Sequence, residues 1–451
     1  MQKLGLCLFP LLLLCFPLIH GRSLESSGGT ADGSEQWGYV EVRPKAYMFW
    51  WLYRSPERVE NGSSPWPTVL WLQGGPGASG VGIGNFIEIG PLDTDLKPRN
   101  WTWLQKADLL FVDNPVGTGF SYVEDDHSFV KTDEEAAADL TTLLKSLYNS
   151  NTKLQKGPLF AVAESYGGKF AVTLALSIFK AIKTGELAVN FGGIALGNSW
   201  ISPEDFVFAW GPLLRDVSRL DINGEANSNS LAEQIKKQIA DGQYAEATNS
   251  WTQLEFEDST NSNSVNFYNF LFDSSHEITE TTASTARKAM EKYSMQLMKS
   301  KPFSQGSIEN LMNGVIREKL KIIPKNVSWG GQNQGVFNSL AADFMRPRIH
   351  EVDELLSMGV NVTIYNGQLD VICATKGVEA WVQKLKWEGL QDFNNAGRKT
   401  IYCANSDITG GFLKSYKNLH FYWILGAGHF VPVEQPCIAQ QMVSDVTQSP
   451  A

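Results

Sequence analysis

The chain has 451 residues, a formal net charge of −10 and five cysteines. The acidic balance argues against nucleic acid as a partner and fits an acidic compartment, where carboxylates lose part of their mutual repulsion. Five cysteines over this length exclude a disulfide-built scaffold, and no internal repeat is visible.

Residues 1–21 carry Lys3, an apolar stretch over 4–18 and a small residue before Arg22, the pattern of a secretory signal peptide. That stretch is too short to span a bilayer well, and no later hydrophobic segment is long enough for an anchor. Cys7 and Cys15 leave with the signal, so Cys373, Cys403 and Cys437 remain. The mature chain is expected to be soluble, either secreted or in a lysosome or vacuole lumen. Its glycosylation sequons are at Asn61, Asn100, Asn326 and Asn361, the last beside a buried strand and the poorest acceptor.

Residues 38–53 read as an aromatic-rich antiparallel hairpin, and 69–72, 109–112, 159–162 and 193–196 read as buried strands. Apolar spacing of three and four predicts helices over 133–148, 166–182, 374–385 and 439–446. Strands alternating with helices imply an α/β fold, a mixed and mostly parallel sheet with helices on both faces. Between 200 and 338 the chain turns polar, rich in Ser and Asn over 249–275, with helical periodicity over 231–239 and 283–298. This reads as an inserted helical cap that divides the core into 22–199 and 339–451. Trp251, Phe267, Tyr268, Phe270 and Phe272 are candidates for a cap core of its own.

The segment Ala163-Glu164-Ser165-Tyr166-Gly167-Gly168 places a serine where a buried apolar run passes into a helical pattern. That is the sequence of a nucleophile elbow, in which a strained strand-to-helix turn exposes the hydroxyl above the sheet. Ala163 stands where the usual motif has Gly, and Gly167 and Gly168 also suit close helix packing. An α/β-hydrolase sheet requires the acid and then the histidine to follow. Val362-Thr363-Ile364-Tyr365 reads as a short strand, and the turn Asn366-Gly367-Gln368-Leu369-Asp370 carries an aspartate beyond its end. Residues 419–425 read as a further buried strand, followed by the glycine-rich loop Gly426-Ala427-Gly428-His429. His429 would take the proton of Ser165 and return it to the leaving group, with Asp370 holding the imidazole tautomer. His127, His276 and His350 lie in polar or helical surroundings and His420 begins a strand, so none competes. No His-Glu-x-x-His or Cys-x-x-Cys pattern offers a metal ligand set, and no metal is expected.

Five motifs now stand in order: Trp71-Leu72-Gln73-Gly74-Gly75-Pro76-Gly77, the stretch from Asp113 to Tyr122, Glu164-Ser165-Tyr166-Gly167, Asn366-Gly367-Gln368-Leu369-Asp370 and Gly428-His429-Phe430-Val431-Pro432. Together they resemble the serine carboxypeptidase family over residues 37–442. Gln73 and Gly168 look most like the retinoid-inducible serine carboxypeptidase branch and its plant serine carboxypeptidase-like relatives. The resemblance implies an α/β-hydrolase fold with a cap, no cofactor, and peptide substrates with a free C-terminus. It assigns the oxyanion hole to the backbone N–H groups of Gly75 and Tyr166, each such donor being worth roughly 3 kcal/mol of barrier. It assigns recognition of the substrate carboxylate to Gln73, Gly74, Glu88 and Glu164.

A glutamate binds a carboxylate only through a shared proton, so Glu88 and Glu164 are expected to form a coupled pair that holds one at acidic pH. Gln73 departs from the Asn usual in the family, and Ala78 from a habitual Cys, so one disulfide of the family cannot form. The remaining cysteines permit one bridge and one free thiol. Cys373 with Cys403 is the expected pair, and a free Cys373 beside the substrate site, as in some family members, is the competing reading. The leading function is a serine carboxypeptidase working through an acyl-enzyme. An acyltransferase using an ester donor and a non-enzymatic binding or protective protein are the alternatives.

Overall fold

The computed structural model describes residues 26–59, 65–274, 305–403 and 406–449. The expected signal peptide, Asn61, His276 and the predicted helix over 283–298 lie outside the described residues. Within them, 12 strands form one sheet. They are β1 (Ser26–Gly29), β2 (Glu35–Arg43), β3 (Ala46–Tyr53), β4 (Thr68–Leu72), β5 (Asp108–Val112), β6 (Tyr122–Val123), β7 (Pro158–Glu164), β8 (Asn190–Gly197), β9 (Val362–Gly367), β10 (Lys399–Tyr402), β11 (Thr409–Tyr416) and β12 (Leu419–Ile424). The order is β1-β2-β3-β5-β4-β7-β8-β9-β12-β11-β10, with β6 paired to β3. The run from β5 to β12 is parallel, and antiparallel strands extend both edges.

Side chains that alternate along a strand, apolar at every position, bury it on both faces. In β4, Leu70 and Leu72 join the helices Asp133–Tyr148 and Gly167–Lys183 on one face. Val69 and Trp71 join the helical segment Gly80–Ile89 and the helix Pro436–Thr447 on the other. Helix Asp133–Tyr148 begins where predicted because the Thr132 hydroxyl caps the Glu135 amide and three acidic residues occupy its first turn. The predicted helix over 374–385 is shorter, Thr375–Val382. The apolar pattern does not predict the glycine-rich segment Gly80–Ile89 or the strands β1, β6, β10 and β11, which are short or lack a continuous buried apolar run.

The inserted region divides between the two faces of the sheet. Helices Pro203–Asp216, Ile222–Ala240 and Tyr244–Asn261 pack on the Leu70 face, whereas Ile308, Met312, Ile316, Leu320 and Trp329 pack on the Trp71 face. The expected separate aromatic core is corrected. Trp251 and Phe267 belong to the same buried cluster as the sheet and contact Trp210, while Phe272 is 52 % exposed. Helix Ile222–Ala240 buries only a narrow stripe, Gly224, Ser228, Ala232, Ile235 and Ile239, and packs against the helices Pro203–Asp216 and Tyr244–Asn261.

From β4 the chain moves to β5 on one side and returns to β7 on the other. The crevice beyond the carboxyl ends of β4 and β7 is therefore the topological switch point, where open α/β sheets bind their ligands.

Candidate active site

Ser165 stands at that switch point, immediately after β7, with φ +60°. A non-glycine residue in the left-handed region is strained and persists only where its surroundings enforce it. Here the Ser165 N–H donates to the Gly197 carbonyl at 3.0 Å, and the Ser165 carbonyl accepts from the Trp200 N–H at 3.0 Å. Helix Gly167–Lys183 follows with no room to spare, since a Cβ on Gly167 would lie 2.2 Å from the Leu72 carbonyl oxygen. A Cβ on Gly74 would lie 2.5 Å from the Ser165 Cβ and 2.9 Å from the Tyr166 nitrogen, so the loop after β4 presses on the elbow. Behind it the Tyr166 hydroxyl donates to Asp133 at 2.7 Å, and Asp133 also pairs with buried Arg348 and Lys169.

Asp370 and His429 follow β9 and β12, and both are fully buried. His429 Nδ1 lies 2.8 Å from Asp370 Oδ2, and the same oxygen accepts from the Asn198 amide at 2.6 Å. With Nδ1 committed to the carboxylate, Nε2 is the remaining ring nitrogen, and it has no hydrogen-bond partner among the described residues. Asn198 follows β8 in the left-handed region with φ +39° and was not singled out from sequence. A polar residue directly after a buried strand was the available signal. His127 and His350 are exposed, and His420 pairs with Ser415.

Glu88 and Glu164 are buried beside the elbow, one in the segment Gly80–Ile89 and the other ending β7. Burial pushes Glu88 up to about 7. Burial also raises Glu164 well above the ordinary carboxylate range, and the charge of Glu88 raises it further. Gln73 donates to Glu164 Oε1 at 2.8 Å, while its own Oε1 accepts from the Trp71 indole at 2.7 Å. The indole thereby fixes which end of the Gln73 amide meets the carboxyl. The sequence places Trp71 in a strand and at the head of the motif that runs to Gly77 but does not reveal this contact, and Gly84, where a Cβ would lie 2.3 Å from its ring, admits it.

The cysteine pairing is corrected: the bridge joins Cys403 to Cys437, and Cys373 is a free, buried thiol. β9, which leads to Cys373, is separated from β10, which leads to Cys403, by β12 and β11. Three strand spacings amount to about 14 Å, beyond the Cα separation a disulfide spans. Burial, with the charges of Asp370 and Glu164, pushes the Cys373 thiol up. Its sulfur lies within 4.8 Å of ligand atoms of Asp370 and His429, but a thiol held protonated makes a poor metal ligand. Asn100, Asn326 and Asn361 are exposed, although the Asn361 amide donates to the Gly192 carbonyl at 3.2 Å.

The family model described as serine carboxypeptidase matches residues 27–449. The chain belongs to the serine carboxypeptidase family, and its activity is that of a serine-type carboxypeptidase. This carboxypeptidase is 59 % identical over 441 residues to serine carboxypeptidase-like 51 of Arabidopsis thaliana, covering 96 % of this chain and 95 % of the relative. It is 47 % identical over 447 residues to the human retinoid-inducible serine carboxypeptidase, covering 97 % of each. Among solved structures it resembles Kex1(delta)p, a prohormone-processing carboxypeptidase from Saccharomyces cerevisiae, with a TM-score of 0.71 at 22 % identity over 92 % of this chain and 91 % of that one. That likeness supports the α/β-hydrolase fold.

Proposed function

We propose that this carboxypeptidase releases C-terminal residues with Ser165 as nucleophile, His429 as general base and then acid, and Asp370 as the group that orients it. Removal of the Ser165 proton by His429 Nε2 lets the hydroxyl oxygen attack the scissile carbonyl. Collapse of the tetrahedral intermediate expels the terminal amino acid, protonated by His429, and water then releases the acyl group by the same route. Gly75 and Tyr166 supply the oxyanion donors. Supporting this, neither amide is engaged by a backbone carbonyl in the turns and caps among the described residues.

The observation that carries exopeptidase action is the buried Glu88–Glu164 pair, with Glu164 directly before the nucleophile. A proton shared by the pair can be donated to a substrate carboxylate, with Gln73 and Gly74 alongside. Below about 7 the pair keeps its proton and binds the carboxylate; above it the pair becomes more negative and repels the same group.

Wild-type and Ser165→Ala proteins, incubated with N-blocked peptides bearing free or amidated C-termini, are expected to differ in one way. Only the wild type trims the free peptides, and its KM for them rises with pH through about 7 while that for the amides changes little. Trimming that survives Ser165→Ala would sink the reading. No described helix is long and apolar enough to cross a membrane. We infer from residues 1–21 a lumenal or secreted enzyme, with Asn61, Asn100, Asn326 and Asn361 as glycan acceptors.

A further inference from the structure

Asp370 and His429 sit on loops just beyond the carboxyl ends of β9 and β12. One set of contacts ties the acid loop to the histidine side: Leu369 N–H donates to the Ala427 carbonyl of the histidine loop at 2.7 Å, and Gln368 N–H donates to the Ile424 carbonyl at the end of β12 at 2.9 Å. A second set comes from a tight hairpin of the inserted region, residues 264–274. This hairpin is closed by the Val265–Asp273 bridge and by an Asn266 N–H to Phe272 carbonyl bond of 2.9 Å. Arg219 braces it, donating to the Phe270 carbonyl at 2.9 Å and to Asp273 at 2.6 Å.

The tip of the hairpin crosses both loops. The Phe267 carbonyl accepts from the Val371 and Ile372 N–H groups, each at 3.0 Å, and Phe270 N–H donates to the Leu369 carbonyl at 3.0 Å. His429 N–H donates to the Tyr268 carbonyl at 2.7 Å, and the Tyr268 ring meets the imidazole edge-on at 4.9 Å. The Asn269 amide donates to Glu434 Oε2 at 2.6 Å, and that oxygen also accepts from Gly428 N–H at 3.0 Å. Only glycine fits at 428, since a Cβ there would lie 2.1 Å from the Tyr268 carbonyl oxygen. Every one of these loop-side backbone contacts falls on Asp370 or His429 or within two residues of them.

We infer that residues 264–274 form a positioning clamp for the acid and base, with Asn269 and Glu434 as its positioning residues acting through Gly428. The inference rests on the triad reading above. Glu434 Oε2 accepts from both the Asn269 amide of the hairpin and the Gly428 N–H of the histidine loop, so it transmits the position of the hairpin to the imidazole. A displacement of Nε2 by a fraction of an ångström weakens proton transfer without touching the substrate carboxylate site, so kcat falls and KM does not.

The test uses the full chain as wild type, Ser165→Ala, Asn269→Ala and Glu434→Gln, with a blocked dipeptide, fluorophosphonate labelling of Ser165 and thermal melting. Asn269→Ala is expected to lower kcat and the labelling rate together, by roughly 10- to 100-fold, with KM unchanged. Glu434→Gln keeps an acceptor at the same place and is expected to retain kcat within a few-fold. A melting shift in Asn269→Ala with wild-type kcat overturns the clamp and leaves a structural contact. Equal kcat loss in both variants overturns it as well, because charge rather than geometry would then be acting. If Asn269→Ala fails to fold, Asn269→Ser, which keeps a short donor, is judged on the same kcat-to-KM split. Wild-type turnover that does not depend on Ser165 sinks the triad reading and the clamp with it; Ser165-dependent turnover with unaltered variants sinks the clamp alone.

Discussion

The proposed nucleophile and the proposed acid–base pair of this carboxypeptidase are held by two kinds of structure. Ser165 owes its place to a strand, a strained turn and a helix that follow one another in the chain, pressed from one side by the loop after β4. Asp370 and His429 stand on loops tied to each other and to a hairpin about a hundred residues before Asp370 in sequence. Ser165 is thus seated by the sheet and the elements that adjoin it, whereas the aim of His429 depends also on the inserted hairpin. Substitutions remote from the chemistry are therefore expected to act through His429 and Asp370 before they reach Ser165.

That contrast can be broken at four points. Asp370→Asn removes the charge that holds the His429 tautomer, and kcat is expected to fall about 10⁴-fold with little change in melting temperature. A fall of less than about tenfold in steady-state assays would mean that Asp370 does not orient the base.

Cys437→Ser opens the bridge to Cys403, which closes a sequence separation of 34 residues. In the chain-entropy model such a loop contributes about 3 to 4 kcal/mol, read as a lower urea midpoint, and kcat is expected to stay unchanged because neither cysteine lies in the loops at the site. Loss of kcat in the folded variant would show that the edge of the sheet also aims the triad.

Gly167→Ala drives a methyl group into the Leu72 carbonyl oxygen, and the elbow must shift. The expected cost is about 1 to 3 kcal/mol of stability together with slower fluorophosphonate labelling, and an unshifted melting curve would contradict a tightly packed elbow. Asn198→Ala removes the donor to Asp370 Oδ2 and also the Asn198 Oδ1 acceptor of the Gly367 N–H, 3.3 Å away. A hydrogen bond to a charged group is worth about 1.5 kcal/mol, so kcat is expected to drop roughly tenfold; unchanged kcat would make Asn198 a packing residue.

The sheet's central strands were legible because a parallel strand buried on both faces is a continuous apolar run, as in β4, β5 and β7. Helix Asp133–Tyr148 was legible through its cap and charge pattern. The segment Gly80–Ile89 was not, because its glycines are there to let Trp71 and Trp329 approach, a demand set by residues outside it. Trp251 and Phe267 are correctly buried residues, but the pattern of a single segment cannot say which core receives them.

The residue types and order of the elbow, the acid turn and the histidine loop were written in the chain, since strand, turn and helix preferences act over a few residues. Tertiary structure alone decided that Cys403 meets Cys437, that Asn198 reaches Asp370 and that residues 267–270 contact the loops of Asp370 and His429. Each of those contacts joins segments brought together by strand order, and strand order follows from how the whole sheet buries its two faces rather than from any local preference.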